Sequence, residues 1–246
     1  MNRTATTSAL AIVAIVMCVD CNSSPGRPSP DSAPVRPEQI VDFAVLYNQN
    51  CAACHGSNGK RGAAIALGDP VFLAIADDAA IRQSITNGVP GTPMPAFAES
   101  NGGMLSNKQI DAIVGGIRSW AKPDTLRDAT PPPYATTVAG DPHLGAMVYA
   151  TYCFSCHGPD GKGGSQASSI VDGSYLALTS DQYLRTTVIV GSPDSGAPDW
   201  RGDVPGHPMS AQEISDVVAW LAAQRPKNSA LPNENALADS TGRGLR

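Results

Sequence analysis

Aromatic residues are scarce in this 246-residue chain: four Phe, three Trp and six Tyr. Charge is scarce too, at 16% of positions, and what there is sums to −5. That balance excludes the basic footprint that a nucleic-acid surface needs. Long apolar runs are absent apart from Leu10 to Val19, which is too short to span a bilayer as a free helix. Glycine (24) and proline (21) are abundant by contrast. A core built from the chain's own side chains is therefore thin for a length that can hold two domains of roughly 100 residues. Some other source of buried apolar mass would complete it.

The cysteines point to that source. Cys51-Ala52-Ala53-Cys54-His55 and Cys153-Phe154-Ser155-Cys156-His157 repeat one pentapeptide, Cys-x-x-Cys-His. This is the attachment signature of a c-type haem. Cys51 with Cys54, and Cys153 with Cys156, can each add across the vinyl groups of one porphyrin. His55 and His157 then stand next in sequence to act as proximal iron ligands. Three alternatives compete. A redox Cys-x-x-Cys needs no following His and sits in a βαβ pattern, which is lacking. A structural zinc site would bring both pairs into one compact domain. A disulfide framework belongs to shorter, cysteine-denser chains. Two matches in equivalent surroundings favour two haem c groups.

The remaining cysteines, Cys18 and Cys21, lie in a segment of targeting composition. Arg3 supplies a short basic region before the apolar stretch, so residues 1–21 read as a signal or lipoprotein-type leader. Asp20 and Met17 are poor lipobox residues, and lipidation stays open beside ordinary cleavage or an uncleaved anchor. Residues 22–37 have the Ser/Pro composition of a flexible tether, and 227–246 reads as a disordered tail.

Two copies of one unit fill the rest, 38–122 and 140–226, separated by a linker of 123–139 with three consecutive prolines, Pro131 to Pro133. Each copy reads as a helix (39–50, 143–153) running into the pentapeptide, a Gly-rich loop, one middle helix, a Pro/Gly loop and a last helix (107–121, 211–224). Ser106 with Gln109, and Ser210 with Glu213, form capping boxes. Leu105 with Ile110, and Met209 with Ile214, fit the accompanying staple. Aligning the copies sets Phe43 level with Gly145 and Gly116 level with Trp220. Large and small exchange between first and last helices, which predicts that those helices cross at this pair.

This order of elements resembles class I cytochrome c over about 170 residues. The resemblance implies an all-α fold of tandem domains, each wrapped round one covalent haem c. It also implies a methionine as sixth iron ligand, in the loop before the last helix. In the first copy, Gly88-Val89-Pro90-Gly91-Thr92-Pro93-Met94-Pro95 looks like the family's methionine loop, and Met94 is the expected ligand. Met104 reads as a surface residue. In the second copy Ala197 takes that place, and alanine cannot bind iron. His207 is a tentative substitute. Met209 matches the staple residue Leu105, and His143 opens the first helix. An open site, or one filled by water or a partner, is the remaining outcome.

These readings describe a dihaem electron carrier, exported to the periplasm and held at the membrane face by its N-terminal segment. It would exchange electrons with a redox donor and acceptor, as an independent carrier or as a subunit of a respiratory complex, and has no nucleic-acid partner. The first copy carries seven acidic and six basic residues. The second carries nine and four, with Asp194, Asp199 and Asp203 in its loop, which favours a basic partner there. The alternatives are a peroxidase-like enzyme using an open second haem, with His207 or Asp199 as polar groups, and a gas or redox sensor.

Overall fold

The computed structural model describes residues 34–227, apart from Pro123, Thr125, Arg127, Asp128, Asp203 and Pro205. The expected leader, all but 34–37 of the expected tether, and the expected tail beyond Lys227 lie outside the described residues. Residues 1–39 and 40–246 are separate units. In the first, among the described residues, a 3-10 turn spans Pro37–Gln39. The second contains both copies.

Regular structure among the described residues is helical, with only two isolated β-bridges. In the first copy α1 is Phe43–Asn50, α2 Ala52–His55, α3 Pro70–Ile75, α4 Asp78–Asn87 and α5 Asn107–Arg118. In the second α6 is Pro142–Tyr152, α7 Phe154–His157, α8 Gly173–Leu178, α9 Asp181–Val190 and α10 Ala211–Ala223. The middle region is thus two helices per copy, where one was expected. Side-chain caps make the break. Asp77 Oδ1 accepts from Ala80 N (2.7 Å) and Ser180 Oγ from Tyr183 N (3.1 Å), which satisfies orphan amides at a fresh helix start. Asp69 and Asp172 start the preceding helices in the same way.

The last helices begin where their capping boxes put them, and Leu105 and Met209 are buried beneath them. First and last helices cross in both copies at the large–small pair. A Cβ on Gly116 would lie 2.1 Å from the Phe43 ring. One on Gly145 would lie 2.0 Å from Asp216 O and 2.7 Å from Trp220 Cβ. Trp120 completes the first cluster edge-on to Tyr47, while in the second copy Trp220 stacks on Tyr149 with centroids 4.5 Å apart. One aromatic plug thus comes from two different sequence positions.

A second substitution of position accompanies it. Arg225, just past α10, donates to Leu176 O, Thr179 O and Asp181 Oδ1. Arg118, inside α5, makes the matching contacts with Leu73 O, Ala76 O and Asp78 Oδ1. Each arginine ties the two middle helices to the last one. The linker also differs from expectation. Pro132 is buried and Tyr134 half-buried, so this part of the spacer is packed against the copies.

Candidate haem-attachment sites

Each pentapeptide sits at the junction of two helices. Helix α1 closes as Cys51 N donates to Tyr47 O, and α6 closes as Cys153 N donates to Tyr149 O (2.8 and 2.9 Å). The following short helices α2 and α7 carry the second Cys and the His. The chain then reverses at Gly56 and Gly158. Their carbonyls accept from Tyr47 Oη at 2.9 Å and Tyr149 Oη at 2.5 Å. Burial pushes the Tyr47 hydroxyl up to about 12, so it stays protonated as a donor. Asn58 and Asp160 adopt φ of 54° and 55°, a left-handed turn that short polar side chains tolerate.

The Gly-rich loop folds back onto the motif. A Cβ on Gly62 would lie 2.2 Å from Cys54 O. The fold-back brings Ile65 O to 2.8 Å from His55 Nδ1, and Ser168 O to 2.9 Å from His157 Nδ1. A carbonyl can only accept, so Nδ1 carries the proton and Nε2 keeps its lone pair for a metal. Burial also lowers the pKa of His55, which favours neutral imidazole. The four motif thiols form no disulfide. Burial, then the neighbouring Cys54, pushes Cys51 up to about 11. Two thiols beside a ligand-ready imidazole fit a covalent haem in each copy. Among the described residues no three His, Cys, Asp or Glu converge, so the two Cys-x-x-Cys pairs do not meet as one zinc site.

Three backbone hydrogen bonds correspond between the distal loops. Val89 N donates to Met94 O, Phe97 N to Ile85 O, and Leu105 N to Phe97 O. In the second copy Ser192 N donates to Ala197 O, Trp200 N to Ile189 O, and Met209 N to Trp200 O. Ala197 therefore occupies Met94's backbone position. Met94 is half-buried, Met104 is 81% exposed, and Met209 is 6% exposed in the staple. His143 is exposed at the start of α6. His207 is exposed as well, its Nδ1 2.5 Å from Tyr152 Oη, which also donates to Glu213 Oε1 at 3.2 Å. Tyr152 went unnoticed at the sequence level, although its place beside Cys153 was a usable signal. Asp199 is clasped by Arg201, whose guanidinium lies 4.9 Å over the Trp200 ring. Asp203 and the Asp194 side chain lie outside the described residues.

The family model described as cytochrome c oxidase, cbb3-type, subunit III matches residues 38–115 and 140–221. The chain belongs to this family. It is 32% identical over 152 residues to the cbb3-type cytochrome c oxidase subunit CcoP of Azospirillum sp. (strain B510), covering 55% of this chain and 46% of that one. It is 30% identical over 185 residues to the subunit FixPc of Rhizobium leguminosarum bv. viciae, covering 70% and 58%. A cytochrome bc1 complex cytochrome c subunit of Mycobacterium bovis is 26% identical over 151 residues, covering 59% and 51%. The chain thus spans about half the length of the curated relatives it matches. This member of the cbb3-type subunit III family is a dihaem c-type cytochrome of two cytochrome c domains. The peroxidase reading finds no support in these relatives. Among the described residues no helix is long and apolar enough to cross a membrane.

Proposed function

We propose that this cytochrome passes single electrons at the periplasmic face of a membrane, as a subunit that serves a terminal oxidase or a quinol-oxidising complex. The observation that carries the reading is the duplicated attachment turn, with each proximal imidazole oriented by a loop carbonyl. The kinship with oxidase and bc1 subunits supplies the setting. Cys51 and Cys54 hold one porphyrin, Cys153 and Cys156 the other, with His55 and His157 as proximal ligands. The bound haem supplies a reversible one-electron couple. The chain would orient that group and set its potential.

The two sites differ on the distal side. Met94 offers a thioether, which favours the reduced state and raises the potential. Ala197 offers no ligating atom, and His207 is exposed with its Nδ1 against Tyr152, so its Nε2 is the donor that would compete for the iron. We read the sixth position of the second site as open to water or small ligands. The second copy's net charge of −5 steers a basic partner to it, although Arg201 neutralises Asp199. The N-terminal segment tethers the protein to the membrane.

Native electrophoresis of gently solubilised membranes, followed by haem staining, tests the assignment. The stained chain is expected to migrate with oxidase or quinol-oxidising activity. Migration as a free species would contradict subunit status.

A further inference from the structure

The segment expected as a spacer forms part of the seam between the copies. The Tyr134 ring lies edge-on to Phe72 of the first copy, centroids 6.4 Å apart at 72°. The adjoining carbonyls are held by the second copy. Arg185 Nη2 and Nε donate to Pro133 O at 2.9 and 3.0 Å, and Nε also reaches Tyr134 O at 3.2 Å. Gln182 Nε2 donates to Tyr134 O at 2.9 Å. Arg185 Nη1 reaches Ser215 Oγ on α10 at 3.2 Å.

Arg185 is 2% exposed, and these partners are carbonyls and a hydroxyl, none a carboxylate. Burying a guanidinium among neutral partners is costly, and burial lowers its pKa. A leucine would pack there more cheaply, but it could not grip two successive carbonyls of a passing chain.

Beside this seam lies a cleft of about 650 Å³. One wall is the first copy's loop from Ala63 to Ala66, including Ile65, which orients His55. The other includes Tyr183, Thr187 and Ser192 of the second copy, and Ser192 pairs with Ala197. The proximal loop of one site thus faces the distal loop of the other.

We infer that Arg185 is a positioning residue for electron exchange between the two sites: its grip on the Pro133 and Tyr134 carbonyls fixes the copies in one relative orientation across this cleft. The inference rests on the electron-carrier reading. In each exchange one site is oxidised and the other reduced by one electron, with no bond made or broken. A fixed orientation makes that exchange a unimolecular event of constant geometry, which domains on a free tether would not have.

The test uses the full-length, matured two-haem protein as wild type, Arg185→Met, Tyr134→Ala and Tyr134→Phe. Two quantities are read: the iron–iron distance distribution by dipolar EPR, and the intramolecular equilibration rate after flash photoreduction. Wild type should show one narrow distribution and one fast phase, and Tyr134→Phe, which loses the hydroxyl's bonds to Ser84 and Thr186 but keeps the ring and the carbonyl, should match it. Arg185→Met and Tyr134→Ala should broaden the distribution and slow exchange by roughly tenfold or more. Each site's visible spectrum and midpoint potential should stay unchanged. Tyr134→Ala lies outside both repeats, so it reports even where loss of Arg185 prevents maturation. A narrow distribution and unchanged rate in matured Tyr134→Ala would overturn the clamp while leaving the carrier reading intact. Absence of exchange in wild type would overturn both.

Discussion

Gly145→Ala adds a single methyl group, and the fold has no room for it. The new Cβ would lie 2.0 Å from the Asp216 carbonyl oxygen, 2.6 Å from its carbon and 2.7 Å from Trp220 Cβ. Two of these are backbone atoms of α10, so no rotamer change relieves them and α6 must move off α10. Overpacking of this kind costs about 1–3 kcal/mol. Alanine returns about 0.5–1 kcal/mol through its better helix propensity. With two of the clashes against backbone the overpacking falls near its upper end, so the net loss expected is about 2 kcal/mol, a factor of about 30 in the folded-to-unfolded ratio. The mirror substitution behaves differently. For Gly116→Ala the three nearest atoms all belong to the ring of half-buried Phe43, which can turn aside, so its loss should be smaller and Phe43→Leu should relieve it. Urea unfolding of the matured protein, followed by far-UV circular dichroism and Soret absorbance, measures both. Gly145→Phe should also lower haem retention after maturation. A Gly145→Ala protein as stable as wild type would refute the close crossing.

Arg225→Met removes the guanidinium from buried Asp181, so thermal unfolding should show a loss of about 3–5 kcal/mol. The first-copy pair is more open, with Asp78 66% exposed, and Arg118→Met should cost about 1–2 kcal/mol. Ser210→Ala removes the acceptor for Glu213 N and should cost about 1 kcal/mol by urea unfolding. Ala197→Met should place a thioether in the second distal loop. Potentiometric titration should then show the potential of the second site rising, and a fall would contradict the equivalence of the loops.

Much of this architecture was legible because local signals agreed with one another. The capping boxes at Ser106 and Ser210 fix the last helices, and the exchange of Phe43 and Gly116 for Gly145 and Trp220 locates the crossings. The middle helix marked by Ile81 and Ile85 is α4, and the helix that goes unread is the six-residue α3 before it, whose capping Asp69 and first-turn Pro70 were the usable signal. Three further features depend on tertiary contact and have no local period. Arg118 and Arg225 do the same work from positions that do not align. Tyr152 meets His207 across 55 residues. The three prolines looked like a spacer because composition cannot show that Arg185, 52 residues on, holds the last of their carbonyls. The attachment motifs were the opposite case: their chemistry lies in five consecutive residues, and the fold adds the carbonyls of Ile65 and Ser168 behind each imidazole.

The central claim is that two equivalent attachment sites differ in the distal ligand, Met94 against Ala197. An anaerobic CO titration of the reduced, matured protein, followed by visible absorption, tests it most directly. Half of the haem should bind CO, and Met94→Ala should raise that fraction towards all of it. If no haem binds CO, the second iron has a firm sixth ligand and the account of that site is wrong.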